Sequence, residues 1–243
     1  MKRKFISILL SMVMLFCNVN FAYASQITSK ETAIDFANDK TMQVENKDAV
    51  EIVEINKDRG YTIYSNGLMV IECTGTVGGL GCFPQITKYI NSSEESITVY
   101  VNKVVVKEGV TSFYGETFAY WDTPFSITLP DSLTELSYSL FSDSTGLTTI
   151  NIPAGVKTIG EKAFFNCSNL STVTFSGNPT SIDEKAFLGC SKLTTINLPE
   201  GLTSIDNYAF SACTSLTTIN LPESLISMGG YVFSDCTNLA KVN

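Results

Sequence analysis

The sequence predicts a repeat solenoid, a stack of parallel β-strands joined by turns and preceded by a small α+β region. Two groups of observations carry that expectation. Apolar residues recur every 23 positions, as in Val106, Leu129, Ile152, Phe175, Leu198 and Leu221, and a phenylalanine stands twelve residues after each: Phe118, Phe141, Phe164, Phe187, Phe210 and Phe233. Other apolar rows keep the same period, with Phe113, Leu136, Ile159, Ile182, Ile205 and Met228 seven residues after those starts and Leu147, Leu170, Leu193, Leu216 and Leu239 eighteen after. Rows in register mean one unit stacked on copies of itself, because a single unit cannot bury its own apolar face.

Residues 1–24 read as a secretory signal peptide. Lys2, Arg3 and Lys4 form a basic start, an apolar run follows from Phe5 to Phe16, and Ala22, Tyr23 and Ala24 make a small-x-small cleavage site. The run is too short for a membrane span, and none long enough follows it, so no stable membrane insertion is expected once the signal is removed. Cleavage would take three positive charges and no negative one from a net charge of −8, leaving −11. A chain so acidic repels nucleic acid and anionic membrane surfaces, which excludes nucleic acid as a partner. The expected location is secreted or cell surface.

Residues 25–96 show no period. Thr28 followed by Glu31 forms a capping-box pattern ahead of an apolar stripe of Ala33, Ile34, Phe36 and Ala37, a helix signature. Residues 49–56 read as a strand. Tyr61–Tyr64 and residues 68–73 flank Asn66-Gly67, a hairpin signal. The cluster Gly78, Gly79, Gly81 is a flexible turn, since no Lys-Ser or Lys-Thr pair follows it as a phosphate loop requires. Cys73 and Cys82 are free to pair, although nothing in their spacing demands it.

The array occupies residues 97–243. In a typical copy Ile196 and Leu198 lie two apart and face inward from a short strand, Pro199 ends the strand, and Gly201 lets the chain turn. Leu202 and Ile205 then return to the core, Ala209 and Phe210 pack beneath, and Cys213 and Leu216 close the turn. Seven such strands about 4.8 Å apart give an array about 30 Å long. Cys167, Cys190, Cys213 and Cys236 share one repeat position, where earlier copies place Trp121 and Ser144. Parallel side-chain vectors make disulfides between them poor, and zinc needs convergent ligands rather than a straight row. They read as free buried thiols acting as small apolar fillers.

Catalytic chemistry has little to stand on. The chain contains no histidine, which removes Ser-His-Asp and Cys-His nucleophiles and His-based metal sites. No pair among the 24 acids is singled out as a glycosidase couple. No enzyme activity, cofactor or metal is expected.

Binding needs a surface, and the outward strand positions supply one. They form two rows: Ser126, Thr149, Thr172, Thr195, Thr218 and Lys241, and beside them Thr128, Asn151, Thr174, Asn197, Asn220 and Asn243. Threonine and asparagine suit solvated strand positions and can hydrogen-bond along the stack, which accounts for any one of them. Together they make a long, flat, uncharged polar sheet of the kind solenoids present to partners. Thr149, Asn151, Thr172, Thr174, Thr195, Asn197, Thr218 and Asn220 are the candidate binding face. It lacks Trp, Tyr and Arg anchors, so binding there is modest or multivalent. Tyr208 and Tyr231 stack on a different face and offer a second patch.

The form Leu-Pro-x-x-Leu-x-x-Ile-x-x-x-Ala-Phe-x-x-Cys-x-x-Leu-x-x-Ile, complete from Leu198 to Ile219, resembles the BspA-like or treponemal-class leucine-rich repeats. The resemblance covers residues 97–243 and holds through five consecutive periods without insertion. Residues 60–113 are similar to the segment that often precedes such arrays, with residues 68–76 like its hairpin and residues 104–113 like its first repeat. The resemblance implies a right-handed leucine-rich-repeat solenoid with short bridges and helical turns on its other faces. It implies extracellular or surface proteins that bind macromolecules, and no catalytic residues. The expected partner is an extracellular protein or surface glycan. Two other readings stand beside it: self-association through an uncapped final strand at Lys241-Val242-Asn243, and an activity carried by residues 25–96 with the array as support.

Overall fold

Short strands form in the coils where an inward residue alternates with outward polar ones, as at Thr195–Asn197 and Thr218–Asn220. The computed structural model describes residues 52–56, 60–77, 85–89 and 96–243. The signal peptide over 1–24, the helix expected from Thr28, the glycine cluster from Gly78, and Cys82 with its pairing to Cys73 lie outside the described residues.

A first rack of strands stacks Lys103–Val106, Ser126–Thr128, Thr149–Ile152, Thr172–Phe175, Thr195–Asn197, Thr218–Asn220 and Lys241–Val242. Each pairing in the rack is parallel and in register at one repeat, as in Thr149 with Thr172 and Thr195 with Thr218. The rack is not a continuous sheet: ladder hydrogen bonding lapses after Ser126–Thr128, where a bridge of Phe125 with Leu147 holds the coils, and again after Thr172–Phe175. It also begins earlier than residue 97. Leu68–Ile71 pairs parallel with Lys103–Val106, and Gly75–Val77 pairs parallel with Val110–Phe113, so the hairpin lays down the first rung itself. That hairpin forms as expected around Asn66-Gly67, with Gly67 at φ 83° and Tyr61–Tyr64 antiparallel to Leu68–Ile71. Ile52–Asn56 adds an outer antiparallel strand, and Gln85–Tyr89 pairs with Ser96–Tyr100 as a separate hairpin.

A second face is also a sheet. Glu135–Leu136, Thr158–Ile159, Ser181–Ile182, Ser204–Ile205 and Ser227–Met228 run in that order, all parallel. Acidic side chains knit the bend between the two racks: Glu108 accepts bonds from the Asp131 and Ser132 amides, each at 3.0 Å, and Asp131 accepts one from the Ala154 amide at 2.9 Å. Where coils approach most closely only glycine fits, since a Cβ on Gly155 would lie 2.0 Å from the Asp131 carbonyl oxygen.

The third face, expected as helical turns, contains no helix among the described residues. It is built of successive tight turns, such as the Ala163 amide to the Gly160 carbonyl and the Cys167 amide to the Phe164 carbonyl. Two positions per coil are left-handed: Glu116 and Tyr120, Ser139 and Asp143, Lys162 and Asn166, Lys185 and Gly189, Tyr208 and Ala212, Tyr231 and Asp235. A left-handed residue every few positions stops a right-handed helix from propagating. The freed amides instead bond the next coil, as from Lys162 to Glu184, Phe164 to Ala186 and Asn166 to Leu188 at 2.7–3.0 Å. Burial without such partners would leave these backbone groups unsatisfied.

One stability prediction follows. Ala212 (φ 57°) occupies the position that Gly189 (φ 78°) fills one coil earlier. Ala212→Gly should therefore raise unfolding stability by roughly 0.5 kcal/mol, the relief of left-handed strain less the entropy of a new glycine. Urea titration checks it; a destabilised variant contradicts it.

The core is a column. Phe118, Phe141, Phe164, Phe187 and Phe210 are fully buried and stack with centroids 5.0–5.4 Å apart and planes within 12°. Leu136, Ile159, Ile182 and Ile205 close it from the second sheet, and Leu147, Leu170, Leu193 and Leu216 from below the first. The four repeat cysteines are free thiols and do more than fill space. Cys167, Cys190, Cys213 and Cys236 donate to the carbonyls of Phe141, Phe164, Phe187 and Phe210 at 3.0–3.2 Å, the bond that Ser144 makes to Phe118. No helix among the described residues is long and apolar enough to cross a membrane.

Candidate functional site

Each strand of the first rack alternates direction, so an inward isoleucine or valine forces its neighbours out. Ile150, Val173, Ile196 and Ile219 are buried, while Thr149, Asn151, Thr172, Thr174, Thr195, Asn197, Thr218 and Asn220 are all exposed. The structure thus brings the eight residues singled out in the sequence onto one outward surface. Register aligns the pairs Thr149–Thr172 and Asn151–Thr174, and likewise Thr195–Thr218 and Asn197–Asn220.

The two rows differ in what they do with their hydrogen bonds. In the asparagine row, Thr174 Oγ1 donates to Asn151 Oδ1 at 2.9 Å and Asn151 Nδ2 donates to Ser176 Oγ at 2.9 Å. Asn243 Nδ2 donates to Asn220 Oδ1 in the same manner. That row spends part of its capacity along the stack. Among the described residues, the hydroxyls of Thr149, Thr172, Thr195 and Thr218 have no partner within the chain. Each therefore keeps one donor and its lone pairs for solvent or a ligand. None of the eight carries an ionisable side chain, so what they offer is hydrogen bonding through hydroxyls and amides. No group of three His, Cys, Asp or Glu among the described residues could hold a metal ion.

Tyr208 and Tyr231 stack as the sequence suggests, at 5.1 Å with planes 6° apart. Sequence reasoning missed their neighbours. Lys185 Nζ lies 5.7 Å from the centre of the Tyr208 ring, and Lys162 Nζ lies 5.3 Å from that of Tyr138. Tyr138 sits one repeat position before the column that holds Lys162, Lys185, Tyr208 and Tyr231, which hid it from a search by period.

The family model for the BspA type leucine rich repeat region matches six copies, over residues 88–197 and 169–243. Among solved structures, a leucine rich repeat protein of T. pallidum is 23% identical, with 78% of this chain and 70% of that one covered and a TM-score of 0.46. A leucine rich cell surface protein from Faecalibacterium prausnitzii is also 23% identical, covering 81% of this chain and 55% of that one at a TM-score of 0.41. The pneumococcal vaccine antigen PcpA is 14% identical, covering 79% and 70% at a TM-score of 0.39. A comparison with curated proteins finds no match.

Proposed function

Because the chain belongs to the BspA-type leucine-rich-repeat family, whose repeats serve as interaction scaffolds, we propose that it is an exported, non-catalytic binding protein with an adhesion-type role. Its partner is an extracellular protein or a surface glycan, held on the strand face. The observation that carries this reading is the open threonine row: four exposed hydroxyls on successive coils, paired in register as Thr149 with Thr172 and Thr195 with Thr218, with no partner within the described chain. Repetition suits a repetitive partner, because weak sites at fixed spacing add through effective concentration rather than through any one strong contact. Export rests on the basic start, apolar run and cleavage site of residues 1–24.

Replacing Thr172, Thr195 and Thr218 with lysine places like charges on adjacent strands and fills the row with long side chains. Binding of this variant to an array of surface glycans and extracellular proteins should fall at least about tenfold below the parent, the range set by loss of central contacts. Circular dichroism should show the same fold. Retained binding would remove the strand face from consideration.

A further inference from the structure

Scattered surface tyrosines need no explanation, but aligned ones do. Along the corner between the second sheet and the turn face, Tyr138, Lys162, Lys185, Tyr208 and Tyr231 follow one another through five coils. Lys162 lies over Tyr138, Lys185 lies over Tyr208, and Tyr208 stacks on Tyr231. Tyr138 is 48% exposed and Tyr231 69%. Tyrosine offers large, rigid contact area at small entropic cost, and it is enriched where proteins meet. The strand face contains nothing comparable.

The charge of this corner says what kind of partner it fits. Each lysine is already neutralised by the residue before it, Lys162 by Glu161 at 2.9 Å and Lys185 by Glu184. Asp183 lies within electrostatic reach of Asp206 on the next coil and of Glu135, and among the described residues none of these three carboxylates is paired with a cation. Burial holds the Asp183 carboxyl above its ordinary range, and the carboxylates of Asp206, Glu161 and Glu135 push the same way against a lowering hydrogen bond from Ser181. An incoming cation would relieve that repulsion.

We propose that this corner is a docking surface for an arginine-rich segment of another protein, separate from the strand face. The chain already shows the mode, with its own lysines over two of the tyrosine rings. A guanidinium is planar and less strongly hydrated than an ammonium, so it stacks on an aromatic ring and pairs with a carboxylate at the same time. Arginine is therefore preferred over lysine, and the acidic rim sets the sign and steers the encounter.

Fluorescence anisotropy of the full chain with a labelled arginine–glycine repeat peptide tests this, with a lysine–glycine peptide as control. Y138A/Y208A/Y231A should weaken arginine-peptide binding at least about tenfold. Y138F/Y208F/Y231F, which keeps the rings, should bind as the parent does. E135Q/D206N should weaken binding without touching a ring, and T172V/T195V/T218V should leave it unchanged. The proposal is overturned if the alanine variant binds like the parent, if lysine and arginine peptides bind equally, or if the peptide fails to bind. Loss on the T172V/T195V/T218V variant would also overturn it and assign the peptide to the strand face.

Discussion

Phe164→Ala is expected to destabilise the array by about 3–5 kcal/mol, a large share of the stability of any domain this size. Phe164 is fully buried, with Phe141 at 5.3 Å on one side and Phe187 at 5.0 Å on the other. Removing it deletes apolar burial, opens a cavity and breaks two ring contacts at once. The column also carries coupling between coils, so a gap in its middle should split one cooperative transition into two. Phe233 provides the contrast: it is only partly buried and stacks at 6.0 Å, so Phe233→Ala should cost clearly less. Urea unfolding followed by circular dichroism checks both. Equal losses at the two sites would contradict the column as the main source of stability.

Alkaline pH should unfold the chain sooner than its composition suggests. Cys167, Cys190 and Cys213 are fully buried, and burial pushes each thiol well above its ordinary value of 9.0. Adjacent thiols add to that at Cys190 and Cys213, and the hydrogen-bonding environment of each offsets part of it. In the unfolded chain the same groups ionise near their ordinary value. Their folded-state pKa is raised, so the stability they contribute is whole below about pH 8.5 and is lost as pH climbs toward the folded value. Each thiol then removes at most about 1.4 kcal/mol per pH unit, so the three together remove at most about 4 kcal/mol per unit, the limit reached above the unfolded value. Serine at these positions can make the bond that Ser144 makes to Phe118 and does not ionise in this range. C167S/C190S/C213S should therefore abolish most of the slope between about pH 8.5 and 10. Identical slopes for parent and variant would contradict the assignment.

What was legible in the sequence was whatever side-chain periodicity records. The rows that point inward, the phenylalanine column, the thiols and the outward Thr and Asn rows all have a residue-type signature at a fixed spacing. The backbone conformation between them does not. The left-handed positions hold Glu, Ser, Asp, Lys, Asn, Tyr and Ala as well as Gly189, so no glycine pattern marks them, and the expectation of helical turns there came from the family resemblance alone. The second sheet has strands of two residues, too short for alternation to show. The first rung was obscured because Leu68 pairs with Lys103 across a longer stretch than one repeat. On the candidate strand face the residues were legible but their hydrogen bonding was not. Nothing in the letters distinguishes a threonine row left open from a neighbouring row tied along the stack at Asn151–Thr174 and Asn220–Asn243.

The central claim is that the open hydroxyls of the strand face hold the ligand. The most direct measurement is the affinity of T172V/T195V/T218V, relative to the parent, for whichever glycan or protein the parent captures. Valine keeps the shape and the strand preference of threonine and removes only the hydroxyl. The account predicts a loss of at least about tenfold with an unchanged melting temperature, since three hydrogen bonds at about 1 kcal/mol each are removed. Undiminished affinity in the valine variant would contradict it.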